Sequence, residues 1–383
     1  MARSYQICSH CILDTVDDEN LQFDNKGVCN YCNQFTNSQS ESGIVQPDYK
    51  EKKLKEIVAE IKAEGKNKKY DCILGVSGGV DSSYLAYQAK QLGLRPLIIH
   101  YDNGWNSELA VMNIENIIKK LNFDLITFVN DWEEFKDIQL AFMRASVVDI
   151  ELITDHAIGA LQYSLAKKYN VRYILSGTNN ATEAILPPHW YHWKTDALNL
   201  IAIHKQFGKQ KLKTYPILKY FKRLYYTRKL KIENIPLLDY LPYEKEKAKE
   251  TIIKDLNWKD YGGKHYESIF TRFYQAYILP RKFKIDKRKA HLSTLICSGQ
   301  ITRQEALSEM KKEIFPSDKL MEDKEYVIKK LGLTAQEFEG IMNLPVKKHT
   351  DYPSYLTKHY KTEVYLAKKL KPVTRLFKKK NNK

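Results

Sequence analysis

Residues 77–83, Ser-Gly-Gly-Val-Asp-Ser-Ser, bring together three ingredients of phosphate chemistry. Adjacent glycines let backbone N–H groups close around an anion, because no Cβ stands in the way. An apolar run from Cys72 to Val76 precedes them, and a helix-like run from Ser82 to Leu92 follows. A strand that turns into a helix start adds the partial positive charge of the helix N-terminus. Ser77, Ser82 and Ser83 add hydroxyl donors, and Asp81 can hold a metal ion against the phosphates. The segment is not a Walker A loop, which needs Lys-Ser or Lys-Thr after its last glycine. An ordinary Gly-Gly turn would share the glycines but not the surrounding serines and aspartate.

A second chemistry lies near the start of the chain. Cys8-Ser-His-Cys11 and Cys29-Asn-Tyr-Cys32 are two Cys-x-x-Cys pairs separated by seventeen residues. That spacing is read as a zinc site, with each pair placing two thiolates on one tight turn. Four thiolates complete a closed tetrahedron, so the expected role is structural, and Gly27 supplies flexibility before the second pair. Iron can also occupy four thiolates. His10 reads as a spectator between ligands. Cys72 and Cys297 stand in apolar contexts and read as buried small hydrophobes.

The elements that must position these groups follow from periodicity. Tyr49–Gly65 has helical spacing after a polar stretch, Asn33 to Pro47, that reads as a linker. Strands are expected at 70–76, 95–101, 124–129 and 171–175, with Tyr215–Leu218 as a fifth. Helices are expected at 82–92, 108–121, 131–148 and 155–169. This alternation predicts an α/β fold with a doubly wound, mostly parallel sheet. Ligands of such sheets bind beyond the carboxyl ends of the strands. Polar motifs stand at three such ends: 77–83, Tyr101-Asp-Asn-Gly104 and Ser176-Gly-Thr-Asn-Asn180. Thr302-x-x-Glu305 reads as a capping box. Three regions result: a zinc knuckle and linker over 1–47, the α/β domain over 48–218, and a mainly helical, basic region over 219–383.

The formal charge is +16, and residues 201–383 hold 42 Lys+Arg against 20 Asp+Glu. That half suits an anionic partner, although scattered lysines also simply solvate a surface. The first residues lack a signal-peptide core, and no apolar stretch reaches the ~20 residues of a membrane span. A cytoplasmic protein is expected.

The loop SGGVDS resembles the pyrophosphate loop (PP-loop) of ATP pyrophosphatases, whose fold is adenine nucleotide alpha-hydrolase-like. Nearly end to end, the chain resembles the N-acetyl sugar amidotransferase family of surface-polysaccharide biosynthesis. The likeness rests on GVCNYC, GVSGGVDSS, SGTNNATEAILP (176–187), WKDYGGKHYES (258–268), RKAHLS (288–293) and LICSGQ (295–300). It implies conversion of a sugar acetamido group to an acetamidino group, with ATP, Mg²⁺ and Zn²⁺ as cofactors. It also implies ammonia from a separate glutaminase with a cyclase-type subunit, the two resembling the HisH/HisF pair of histidine biosynthesis. The substrate would be an N-acetylated nucleotide-sugar. ATP would be gripped by Ser77, Gly78, Gly79, Val80, Asp81, Ser82 and Ser83, with Asp102 near His100, and with Gly177, Thr178 and Glu183. Asp81 and Glu183 would face the metal. Lys264, Arg272 or Arg288 would neutralise developing charge, and Cys8, Cys11, Cys29 and Cys32 would hold zinc. Other roles stay open: Asp102 as a helix cap, Glu183 as a first-turn charge, Lys264 as an exposed loop residue, Asp155 as a cap or a substrate contact. His189, His192 and His204 lack metal spacing. A tRNA-modifying enzyme of the thiolation or lysidine type is the alternative; it shares the loop and suits the basic half, but persulfide chemistry wants cysteines near the active site.

Overall fold

A computed structural model describes residues 4–41, 47–263 and 266–357. Among the described residues five strands form one sheet: β1 (Cys72–Gly75), β2 (Pro96–Asp102), β3 (Leu125–Val129), β4 (Tyr173–Ser176) and β5 (Glu233–Pro236). Their order is β3-β2-β1-β4-β5, and every neighbouring pair is parallel. β1, β2 and β4 carry continuous apolar runs, and Ile73, Leu74, Ile98 and Ile174 are fully buried. Strands covered by helices on both faces need apolar residues on both sides, so alternation is absent. The chain winds outward through β2 and β3, then returns to β4 and β5 on the other side of β1. The direction therefore reverses between β1 and β4, and the crevice beyond their ends is where this architecture takes ligands.

Helix α1 (Asn30–Glu41) belongs to the knuckle, and α2 (Pro47–Glu64), α3 (Val80–Gln91), α4 (Glu108–Leu121), α5 (Trp132–Ala145) and α6 (Leu152–Lys168) cover the sheet or lead into it. Local signals set their limits. The Ser107 side chain caps α4 by accepting from Ala110 N, and Asp131 caps α5 by accepting from Glu134 N. α4 ends at Asn122 and α5 at Ser146, both in the left-handed conformation that terminates helices. Beyond β4 come α7 (Asn180–Glu183), α8 (Ala197–Phe207), α9 (Tyr220–Leu224) and α10 (Lys245–Leu256). The last part holds α11 (Ile269–Phe273), α12 (Arg288–Cys297), α13 (Arg303–Met310), α14 (Ser317–Leu331) and α15 (Ala335–Met342). The capping box at Thr302 and Glu305 forms in both directions.

Three expectations are corrected. The fifth strand is Glu233–Pro236, not Tyr215–Leu218. The Glu134 carboxylate takes the N–H groups of Lys213, Thr214 and Tyr215, His156 Nε2 takes that of Leu218, and Pro216 has none, so the donors at both ends of the segment are engaged away from a ladder. The polar stretch read as a linker is largely α1, which begins at Asn30 inside the second Cys-x-x-Cys pair. The α/β unit also runs past 218, because β5 pairs with β4 and α10 packs on α3.

The knuckle does not hang free. Arg303 donates to the carbonyls of Cys11 (2.9 Å) and Cys8 (3.1 Å), and Lys289 Nζ sits between Asp14 (2.7 Å) and Asp17 (2.9 Å). Its cysteines share one buried core with residues of α5, α6 and the C-terminal helices. No helix among the described residues is long and apolar enough to cross a membrane.

Candidate functional site

β1 delivers the loop to the switch point, and the loop shapes itself. Ser77 N donates to Ser82 Oγ (3.2 Å), Gly79 N to Ser77 Oγ (3.2 Å), and Ser83 Oγ to the Gly79 carbonyl (2.6 Å). Gly78 has φ +86°, and a Cβ there would stand 2.9 Å from the Ala110 carbonyl oxygen. Only glycine fits that turn. α3 starts at Val80, and its N-cap, Gly79, brings no side chain to the first-turn N–H groups. A helix start without a side-chain cap directs those donors and its dipole outward.

A cavity of about 350 Å³ opens over this helix start. Ser77, Gly79, Val80, Asp81 and Ser82 line it from the β1 side, and Gly177, Thr178 and Glu183 from the β4 side. A Cβ on Gly177 would lie 3.3 Å from Ser82 N, so the two strand ends meet closely. Gly78 and Ser83 are not among the lining residues. The carboxylates of Asp81 and Glu183 share the cavity, a donor set of the kind that hard divalent cations take beside phosphates. Tyr243 OH donates to Asp81 Oδ1, and its own ionisation is pushed up by burial and by that carboxylate.

Asp102 stands elsewhere. Its Oδ1 accepts from Gly104 N (2.8 Å) and Asn106 Nδ2 (3.0 Å), which shapes the loop after β2. It does not cap α4, a role that Ser107 fills. His100 is buried between the Val76 carbonyl and Asn106 Nδ2, each 3.0 Å away. Lys264 lies outside the described residues, next to cavity-lining Gly262 and Gly263. Arg288 donates to Asp286 and to the carbonyls of Glu309 and Lys312, and Arg272 makes a two-pronged pair with Asp323 at 2.7 Å. Both line a second cavity of about 670 Å³, which shares Lys245, Glu246, Tyr261, Gly262 and Gly263 with the first. The two chambers are contiguous.

Several residues at the site had no assigned role in the sequence, although Trp258, Tyr261 and Glu267 lie in the 258–268 segment that carries part of the resemblance. Trp258 Nε1 donates to the Gly78 carbonyl (2.8 Å), and Tyr261 OH to the same oxygen (3.3 Å). Lys245, Lys249 and Glu267 complete the wall of the first cavity. Beyond β2 a charged cluster gathers: Lys194 Nζ bonds Asp149 (2.8 Å) and Asp155 (2.9 Å), and Thr271 Oγ1 donates to Glu151 (2.6 Å). Burial raises Glu151 to about 7, with Asp155 adding to the shift and Lys194 and Lys287 opposing it. His156 is buried as a bridge between the Lys194 carbonyl and Leu218 N. His192 and His204 pair with Asp196 and Asp137, each at 2.9 Å, and His189 faces Asp18 at 3.4 Å.

The four cysteines converge as the spacing requires. Their sulfurs all lie within 4.8 Å of one another, with Cys11–Cys29 at 3.7 Å, Cys29–Cys32 at 3.6 Å and Cys8–Cys32 at 4.0 Å. A tetrahedral ion with metal–sulfur bonds of about 2.3 Å sets sulfur–sulfur edges near 3.8 Å. The N–H groups of His10, Cys11 and Cys29 point at Cys8 Sγ, the pattern that steadies thiolates on a tight turn. The residues therefore fit a four-thiolate metal centre. Cys72 is buried, as expected. Cys297 is not: it is half-exposed, with its sulfur 3.5 Å from Cys32 Sγ. The reading of His10 as a spectator also changes, since its Nδ1 lies 3.7 Å from Cys297 Sγ.

Comparison with known proteins adds one family. Residues 267–366 match the family described as LPS biosynthesis protein WbpG-like, C-terminal domain. No curated protein matches the chain. Among solved structures, it is similar to NMN synthetase from Francisella tularensis (15% identity, 60% of this chain and 92% of that one, TM-score 0.29). It is also similar to an NH3-dependent NAD synthetase from Campylobacter jejuni (13%, 69% and 97%, TM-score 0.30). A third is a predicted tRNA methyltransferase subunit from Methanocaldococcus jannaschii (17%, 47% and 73%, TM-score 0.28). The segment that brings Glu267 to the wall of the loop cavity thus opens the part of the chain that is similar to the C-terminal domain of WbpG-like LPS biosynthesis proteins.

Proposed function

We propose that the chain is an ATP-dependent, AMP-forming amidotransferase that converts the acetamido group of an N-acetylated sugar to an acetamidino group. One observation carries this reading: the glycine-turned loop, Gly177–Thr178 and two carboxylates share one cavity at the switch point of the sheet. The match of residues 267–366 supports a role in surface-polysaccharide synthesis.

An acetamido carbonyl is a poor electrophile. In the proposed reaction its oxygen attacks the α-phosphorus of ATP; an O–P bond forms and the bond to pyrophosphate breaks. Ammonia then adds to the activated carbon. AMP departs with the former amide oxygen, and loss of protons leaves the amidine. The first-turn N–H groups of α3, with Ser77 and Ser82, hold the departing pyrophosphate, where fixed donors are worth most. Asp81 and Glu183 would hold magnesium, which supplies positive charge to the phosphate oxygens when bound. Gly177 and Thr178 seat the nucleotide on the β4 side. The contiguous 670 Å³ chamber, walled by Arg272, Lys287 and Arg288, receives the sugar. The four-thiolate centre takes zinc and braces the knuckle.

Ammonia comes from a separate glutaminase in this reading. Five of the six cysteines gather at the knuckle, and Cys72 is buried with its thiol ionisation pushed well up. None is placed as a glutamine-hydrolysing nucleophile. The test is AMP and pyrophosphate release from ATP and Mg²⁺, with ammonium or glutamine, and with UDP-N-acetyl sugars or tRNA. Sugar- and ammonium-dependent release is the expected result. tRNA-dependent release would overturn the sugar assignment, and full activity with glutamine alone would overturn the partner.

A further inference from the structure

We infer that His10, Cys32 and Cys297 hold a second zinc-class ion, with Cys32 bridging it to the four-cysteine centre. The inference rests on that centre being a zinc site, and its test is built to separate the two failures.

Two donors stand in the knuckle and the third lies 265 residues beyond Cys32, yet their ligand atoms all lie within 4.8 Å of one another. Cys297 Sγ is 3.5 Å from Cys32 Sγ and 3.7 Å from His10 Nδ1. Zinc bonds of about 2.3 Å to sulfur and about 2.0 Å to nitrogen, at tetrahedral angles, give edges of about 3.8 Å and 3.5 Å. The observed edges match within a few tenths of an ångström. Two thiolates and an imidazole are the donor set that suits zinc rather than magnesium or calcium.

Charge points the same way. Four thiolates around one divalent ion keep a net negative charge. A fifth sulfur against one of them needs a proton or another cation between. A hydrogen-bonded chain from His10 through Cys297 to Cys32 would use the same contacts, and it is the alternative that the experiment separates. Three protein donors leave a fourth position open, and the site has room for it. His10 is exposed, and Cys297 also lines a cavity of about 440 Å³ with Lys50, Asp239 and Glu244. The arrangement is that of an open site rather than a closed one.

The consequence is a staple. Cys297 is the last residue of α12, 265 positions from Cys32, so the ion would tie the C-terminal helices to the knuckle. Metal bound only by the folded state adds its binding energy to folding.

The experiment is metal content of the full chain by elemental mass spectrometry, purified without a metal-binding tag, reloaded with zinc and desalted. The expected result is two zinc ions per chain, falling to one in Cys297→Ser and in His10→Ala. The His10 side chain is exposed, so its removal leaves the fold standing. One ion in all three proteins would overturn the inference while leaving the four-cysteine centre intact. No zinc in any would overturn both. Two ions retained in both variants would refute the assignment to these residues.

Discussion

Replacing Gly78 by alanine tests whether the shape of the loop governs turnover. Gly78 is at φ +86°, where an L-residue pays about 1–2 kcal/mol. Its new Cβ would also stand 2.9 Å from the Ala110 carbonyl oxygen and 3.3 Å from Ala110 Cα. Both atoms belong to the backbone of α4, so no side chain can swing aside, and overpacking of that kind costs about 1–3 kcal/mol. The sum is about 2–5 kcal/mol. Part of it disappears if the loop relaxes away from α4, but relaxation spoils the N–H array that grips pyrophosphate. Free energy saved in the fold is therefore lost at the transition state.

With about 1.4 kcal/mol per tenfold change, G78A lowers kcat/KM for ATP by at least about thirty-fold. Thermal unfolding should move by less than the full sum. AMP and pyrophosphate release gives the rate, and calorimetry gives the stability. Gly159 supplies the control: it lies within α6, and an added Cβ meets nothing within 4 Å. G159A should stabilise by up to about 1 kcal/mol, since alanine outranks glycine in a helix, and should leave turnover unchanged. If G78A turns over within threefold of the parent, the loop is not the pyrophosphate seat.

Four further outcomes follow from the same geometry. Asp81→Asn and Glu183→Gln each remove a charge from the cavity without changing shape, so AMP formation should fall about 10²–10³-fold while the melting temperature holds, read by parallel rate and calorimetric assays. Trp258→Phe deletes the indole donor to the Gly78 carbonyl; a loss of about 1–3 kcal/mol in unfolding free energy, measured by urea titration, should accompany a raised KM for ATP. Cys11→Ser removes one of four thiolates, and the variant should lose the knuckle's metal and melt several degrees lower, the loss being reproduced in the parent by a chelator. Glu151 holds its proton up to about 7 while an unfolded chain releases it near 4.5, so its contribution to stability falls as pH rises between those values and is flat above; Glu151→Gln should flatten that slope, by at most about 3 kcal/mol, in pH-dependent urea unfolding.

What the sequence revealed was local, and what it concealed was tertiary. The strand–loop–helix at 72–91 and the two Cys-x-x-Cys pairs each carry their geometry within a short segment, so residue types and spacing were sufficient. The fifth strand shows the opposite case. Tyr215-Pro-Ile-Leu218 has better strand composition than Glu233-Asn-Ile-Pro236, yet the latter pairs with β4. The deciding groups, Glu134 and His156, stand about eighty and sixty residues away and take the backbone donors first. Cys297 is a lone cysteine in its own segment, and only folding brings it to Cys32. Glu151 likewise carries no signal until α11 brings Thr271 to the start of α6, nor does Lys194 until it meets Asp149 and Asp155.

The dependence of the loop on residues after 250 has a physical reason. A trans peptide holds its C=O and N–H on opposite edges. Trp258 and Tyr261 capture the Gly78 carbonyl on one edge, which turns Gly79 N–H the other way, onto Ser77 Oγ at the cavity floor. Glu267 then closes the wall, and its neighbours pair with the loop after β2: Ser107 N donates to the Glu267 carbonyl and Ile269 N to the Trp105 carbonyl, each at 2.9 Å. A fragment ending before Trp258 would keep the whole phosphate-loop motif and five parallel strands, yet nothing would hold that peptide in its orientation. The motif supplies the donors, and the later segment aims them. Catalytic competence therefore belongs to the two parts of the chain together.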